Sequence, residues 1–231
     1  MTGHGPRLPA AVVFDFDGLI MDSEMPIFRT AVLALREHGH ELTMEAWAGV
    51  VGLPDGDEHD ESGWYGTLVR RLGITLPRPV YQRSYDAQNR IDRDLIPALP
   101  GVVGLLDQLG AAGVPCGVAS SSTVGYLDRH LVRLGLRGRF ATVAGADLVG
   151  GRGKPSPDVY LLACRELGVD PRRSVALEDS EHGIAAARAA GMRVVAVPSE
   201  ITRLTDLSAA DCVVASLEEL TLADLAALVA S

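Results

Sequence analysis

The sequence predicts an α/β fold, a parallel sheet covered on both faces by helices, with an all-helical segment inserted after the first strand. Three observations predict it. From Val114 onward, short apolar runs alternate with segments of helical period, the pattern of strands joined by crossover helices. The stretch from about 25 to 94 carries helical spacing and no strand-like run. Several apolar runs stop at acids or hydroxyls that lead into a turn or a helix, as strands of an open sheet do at their carboxyl ends.

The elements follow in order. Ala11–Phe14 (AVVF) is a short apolar run that ends at Asp15 and reads as a buried strand. MPIFRTAVLALREHG then has apolar positions at helical spacing, and TMEAWAGVVG follows with Thr43 as its N-cap. WYGTLVRRLG and PVYQRSYDAQNRIDRDL read as two further amphipathic helices, separated from the second by the acidic, turn-rich loop PDGDEHDESG. After Leu99-Pro100-Gly101 the expected elements are a strand at Val114–Ala119, a helix at Thr123–Leu134, a strand at Ala141–Ala144 and a helix at Pro157–Leu167. A strand at Ser174–Leu177 leads into a helix at Gly183–Ala190, strands follow at Arg193–Val197 and Asp211–Val214, and Leu217–Val229 closes the chain as a helix.

Composition narrows the function. The chain has 231 residues, a formal net charge of -9, 47% hydrophobic and 22% charged residues, which is ordinary for a globular domain with one sizeable core. The acidic balance argues against nucleic-acid binding, which needs basic patches, but leaves room for a small anionic substrate at a local positive site. No apolar run reaches the ~18 residues of a membrane span. The opening MTGHGPRLPAAVVFDF lacks a basic segment followed by a long apolar one, so no signal peptide is expected. Cys116, Cys164 and Cys212 are scattered, without metal-ligand spacing, and read as small hydrophobes in a reducing cytoplasm. Of the 21 basic residues only Lys154 is a lysine. In a chain that uses arginine for every other positive charge, this residue is either a chance survivor or a candidate for a place where a compact ammonium is needed and a wide, planar guanidinium will not serve.

Followed to their carboxyl ends, the candidate strands deliver a chemical set. The first ends at Asp15, with Asp17 two residues later and Gly18 permitting a tight turn behind them. Another ends at Ser120-Ser121-Ser122, and a third at Glu178-Asp179-Ser180, both running into helices. The loop after Ala141–Ala144 carries Lys154. This inventory suits phosphoryl transfer to a carboxylate. Asp15 and Asp179 offer hard oxygen ligands to magnesium. Asp17 can protonate a leaving oxygen and then deprotonate water. Ser120 and the backbone N–H groups after it can hold a phosphate at a helix start. Lys154 can neutralise charge shared by the nucleophile and the transferred group.

Four motifs, DFDGLIMDSE at Asp15–Glu24, VASSS at Val118–Ser122, GKPSPDVY at Gly153–Tyr160 and LEDSEHGIAAARAAGM at Leu177–Met192, resemble those of the haloacid dehalogenase superfamily. The resemblance implies a Rossmann-like core over 1–23 and 95–231 and a helical cap over 24–94 that selects the substrate. It implies an aspartyl-phosphate intermediate with Asp15 as nucleophile and Asp17 as acid/base. It implies a magnesium ion held by Asp15, the backbone carbonyl of Asp17 and Asp179, with Glu178 close by, and phosphate contacts from Gly18, Ser120, Ser121 and Lys154. Within the superfamily the chain looks most like beta-phosphoglucomutase and the small sugar-phosphate phosphatases. A dehalogenase has no use for the acid Asp17, and the phosphonate-cleaving relatives use a cap lysine that this chain lacks. The mutases carry a histidine where this chain has Met25-Pro26-Ile27, and an arginine where it has Gly52-Leu53-Pro54-Asp55, so hydrolysis is favoured over isomerisation. The expected protein is a cytoplasmic, magnesium-dependent phosphatase of a small phosphorylated metabolite, a monomer or weak homodimer. A phosphosugar mutase is the alternative, and a binding module without turnover the distant one.

Overall fold

The computed structural model describes residues 8–51, 63–89 and 93–230, with the Arg93 side chain excluded. Gly52-Leu53-Pro54-Asp55 and the acidic loop at 55–61 lie outside the described residues. Strand β1 (Val12–Phe14) is followed, among the described residues, by the helices α1 (Glu24–Arg36), α2 (Met44–Ala48), α3 (Trp64–Leu72) and α4 (Arg78–Gln88). The chain continues with α5 (Val102–Ala111), β2 (Cys116–Ala119), α6 (Val124–Arg133), β3 (Thr142–Ala144), α7 (Asp158–Leu167) and β4 (Val175–Glu178). It ends with α8 (Glu181–Ala189), β5 (Arg193–Ala196), β6 (Cys212–Val213) and α9 (Leu222–Ala230). The chain divides into two compact units, one of Met1–Asp22, Ile96–Ser199 and Asp206–Ser231, the other of Ser23–Leu95 and Glu200–Thr205.

The first unit is built on one parallel sheet of order β3-β2-β1-β4-β5-β6. Its central strands β1 and β2 read as unbroken apolar runs because both faces are covered. Val12 and Phe14 enter one buried cluster together with Leu105 and Leu109 of α5, Leu127 and Leu131 of α6 and Leu225 of α9. Val13 enters the other, with Val159 and Ala163 of α7 and Ile184 and Ala187 of α8. A Rossmann-like α/β layering results. The order reverses beside β1, where the chain runs outward to β3 and then returns to β4, and such a switch point opens a crevice at the strand ends.

The second unit packs α1 to α4 around Phe28, Trp47, Tyr65, Leu68 and Tyr81, with Ile201 of the Glu200–Thr205 segment. Its interior is aromatic, with Trp47 5.9 Å from Trp64 and Tyr65 4.9 Å from Tyr81 between ring centroids. Tyr65 donates to the Leu76 carbonyl at 2.9 Å, and His38 bonds Ser84 at 2.8 Å. Among the described residues, the buried Trp47 Nε1 and Tyr81 hydroxyl have no hydrogen-bond partner.

Local chemistry moves several expected boundaries. The closing helix does not run from Leu217. Ser216 accepts from the Glu218 N–H in a short 3-10 turn, and α9 starts at Leu222, where Thr221 and Asp224 cap each other's backbone N–H groups. The helix expected through Leu95 ends at Gln88, and α2 stops at Ala48, before Gly49. Helix α5 was not expected, and Glu200–Thr205 joins the helical unit from far along the chain. No described helix is long and apolar enough to cross a membrane. Cys116 and Cys164 are buried and Cys212 partly so, all as free thiols.

Candidate active site

Register places the chemistry. Phe14 pairs with Val118 on one side and Leu177 on the other, so the next residues, Asp15, Ala119 and Glu178, end their strands at one level. Ala119 in turn pairs with Ala144, which puts Ser120 and Gly145 on the same edge. The Asp15 N–H donates to the Leu177 carbonyl at 2.9 Å and extends the ladder by one residue beyond β1.

Lys154 sits among these ends. Its ammonium is ion-paired to both Asp15 and Glu178, with side chains exposed by only 6%, 8% and 0% respectively. It also lies 5.1 Å from the centroid of the Tyr160 ring, a cation–π contact. Tyr160 donates its hydroxyl to Glu178 Oε1 at 2.6 Å. Glu178 further accepts from the backbone N–H of Asp179 at 3.1 Å and from the Ser180 hydroxyl at 3.2 Å. A fully buried carboxylate needs such a set of donors, because each unmet lone pair is costly away from water. Burial pushes the Asp15 carboxyl up to about 7, against the pull of the Lys154 ammonium, with the negative charges of Glu178 and Asp17 adding to the rise. Burial alone would lower the pKa of Lys154, but Asp15 and Glu178 together raise it, so the ammonium stays charged.

Two glycines make room for this cluster. Gly18 has φ of +85°, and a Cβ there would stand 2.2 Å from Asp179 Oδ2. Gly183 lies in the first turn of α8, and a Cβ there would stand 1.9 Å from the Glu178 carboxyl carbon. Side chains at either place would evict a carboxylate. Asp15, Glu178 and Asp179 offer oxygens within 4.8 Å of one another, all buried. Three buried carboxylates against one ammonium leave a deficit of positive charge, and hard oxygens at this spacing are what a divalent cation takes. The donor set therefore fits a divalent metal ion.

Asp17 faces different company. It is partly exposed, and its Oδ2 accepts from the Ser122 hydroxyl at 2.8 Å while its Oδ1 accepts from the Tyr126 hydroxyl at 3.3 Å. Ser120 is buried, and its Oγ accepts from the Ser122 N–H at 3.0 Å. It does not cap α6, whose N-cap is Thr123. Ser121 is exposed and its Oγ accepts from the Lys154 N–H at 3.0 Å, which ties the lysine loop to the end of β2. The structure thus joins Asp15, Lys154, Glu178 and Asp179 in one cluster and gathers Asp17 with Ser122 and Tyr126 in another. Sequence reasoning assigned no role to Tyr160, Ser122 or Tyr126. Tyr160 lies in the GKPSPDVY segment six residues beyond Lys154, and Tyr126 four residues beyond Ser122, so the only signal was nearness in sequence.

The chain is similar to known proteins in both sequence and structure. Hexitol phosphatase B of Escherichia coli (strain K12) is 33% identical over 228 residues, covering 95% of this chain and 98% of its own length. The protein CbbY of Cereibacter sphaeroides is 40% identical over 225 residues, covering 91% and 93%. The crystal structure of a HAD family hydrolase from Deinococcus radiodurans R1, with bound phosphate and sodium, has a TM-score of 0.75 at 31% identity, covering 96% of this chain and 98% of that one. A family profile for haloacid dehalogenase-like hydrolases matches residues 12–197, from β1 through β5. The profile covers β1 to β5 and the four motifs, and this chain belongs to the haloacid dehalogenase-like hydrolases.

Proposed function

We propose that this chain is a magnesium-dependent phosphatase that hydrolyses a small phosphorylated metabolite, a sugar phosphate or similar monoester, through an aspartyl-phosphate intermediate, an acyl phosphate on Asp15. The observation that carries the reading is the ion pair of the one lysine with Asp15 inside a buried carboxylate cluster at the strand ends. Hexitol phosphatase B, similar over nearly its whole length, has phosphatase activity in its name. The Deinococcus relative binds phosphate.

The residues divide the work. An Asp15 oxygen attacks phosphorus, forming the Asp15 O–P bond as the ester P–O bond breaks. Asp17 gives the departing oxygen a proton and then takes one from the water that attacks the same phosphorus, which frees Asp15 and inorganic phosphate. Lys154 stays protonated beside Asp15 and offsets the repulsion between its carboxylate and the anionic substrate. Ser120, Ser121 and the turn at Gly18 contact the phosphate. Magnesium, held by Asp15, Asp179 and the Asp17 carbonyl with Glu178 alongside, supplies further charge neutralisation when bound. The helical segment 24–94 selects the substrate, and Pro26 and Ile27 replace the histidine of the mutases, so water is the acceptor.

The test is hydrolysis of p-nitrophenyl phosphate, expected to need magnesium, to stop with EDTA, and to vanish in Asp15→Asn. Turnover that survives EDTA or Asp15→Asn would refute the reading. A panel of phosphorylated sugars and sugar alcohols then ranks the natural substrate class.

A further inference from the structure

The two acids of the first motif are held by chemically different partners. Asp15 is paired to an ammonium, which can only donate. Both oxygens of Asp17 are engaged by hydroxyls, Oδ2 by Ser122 and Oδ1 by Tyr126. A hydroxyl donates to a carboxylate and, after rotating, accepts from a carboxylic acid. That choice of partner suits a group that must carry its proton in one half of the cycle and lack it in the other. A lysine or arginine in their place would serve only one half.

Both hydroxyls are fixed by structure. The Ser122 carbonyl accepts from the Ala146 N–H at 3.1 Å, and its N–H donates to Ser120 Oγ. The Tyr126 ring stands edge-on to Phe16 at 6.0 Å and to His130 at 4.6 Å between centroids. Tyr126 lies in the first turn of α6, whose N-cap Thr123 accepts from the Tyr126 N–H. Anchoring on two elements fixes the plane of the Asp17 carboxyl group, which a single hydrogen bond would leave free to turn.

We infer that Ser122 and Tyr126 are positioning residues that aim the Asp17 carboxyl group, and so set how well the enzyme cleaves esters whose leaving group needs a proton. The inference rests on the acid/base role proposed for Asp17. Neither hydroxyl replaces the acid. They hold it where proton transfer is in reach, and general acid catalysis is steeply sensitive to that placement.

The experiment compares kcat/KM for p-nitrophenyl phosphate and phenyl phosphate, two esters of nearly one shape. The nitrophenolate leaves readily without a proton, and phenolate does not. Tyr126→Phe keeps the ring packed against Phe16 and His130 and removes only the hydroxyl, and Ser122→Ala removes the other donor. Each is expected to raise the ratio of the two kcat/KM values, nitrophenyl over phenyl, by roughly 10-fold, since acid catalysis as a whole contributes ~10² or more. Asp17→Asn serves as the control and is expected to raise it further. A merely structural role would lower both substrates alike and leave the ratio unchanged, which would overturn the inference, as would full activity on both. If Asp17→Asn itself leaves the ratio unchanged, the acid/base reading fails. If Asp17→Asn shifts the ratio and the hydroxyl variants do not, only the positioning role fails.

Discussion

Tyr160 in the sheet unit and Tyr81 in the helical unit are both almost completely buried, and the two are used differently. Tyr160, in the sheet unit, gives its hydroxyl to Glu178 and its ring to Lys154. Tyr81, in the helical unit, is packed against Tyr65, Trp64 and Tyr85 with its hydroxyl unpaired. The contrast extends to the surroundings. The charges buried around Asp15 are paired with one another or fed by backbone and hydroxyl donors. The aromatic interior of the helical unit tolerates an unpaired Trp47 Nε1 as well. One interior is organised by charge and the other by shape. Side chains that differ by a few atoms should therefore disturb activity in the first and little or nothing in the second.

Four substitutions sharpen the comparison. The largest effect is expected from Asp15→Asn, an isosteric change that should cost more than ~10⁴ in kcat, as loss of a nucleophile does, while the unfolding midpoint stays near wild type. Steady-state kinetics with a denaturation curve checks both halves. Lys154→Arg should cost ~10² in kcat/KM, because a guanidinium is too wide for a space shared by two carboxylates and an aromatic ring. A loss below about threefold would show that any positive charge serves there.

Tyr160→Phe keeps the ring and removes one charge-assisted hydrogen bond. It should cost about 1.5–3 kcal/mol of stability by urea denaturation, and ~10-fold in kcat/KM through the freedom it gives Glu178 and Lys154. Tyr81→Phe removes a hydroxyl that has no partner. It is expected to leave stability unchanged or raise it by up to ~1 kcal/mol, with p-nitrophenyl phosphate turnover unaffected. Tyr81→Phe as harmful as Tyr160→Phe would erase the distinction between the two interiors.

The sheet was legible because its strands are covered on both faces. AVVF, CGVA and VALE stand out as apolar runs against helical-period flanks, and each stops at a polar group. Helix α5 has its apolar side chains at Val102, Leu105, Leu106 and Leu109, which is helical spacing, but Gly104 and Gly110 obscure it. The start of α9 was written in Thr221 and Asp224, a local cap that overrides the longer apolar pattern around it. No local pattern marks Glu200–Thr205 as part of the helical unit, because the contact of Ile201 with that core is purely tertiary. In the site, the ordered motifs and the solitary lysine brought Asp15, Lys154 and Glu178 into view. The partners of Asp17 come from another strand end and the first turn of α6, so which hydroxyls reach it depends on the register of β1 against β2.

The central claim is that phosphate passes through Asp15. Wild-type protein mixed with magnesium and p-nitrophenyl phosphate, quenched in acid within the first turnover and digested, tests it by mass spectrometry of the peptide that contains Asp15. The expected result is one added phosphoryl group on that peptide, removed by hydroxylamine as an acyl phosphate would be, and absent from Asp15→Asn. A first turnover that releases nitrophenol and phosphate together with no phosphoryl group on the peptide, or an Asp15→Asn protein that turns over at the wild-type rate, would contradict it.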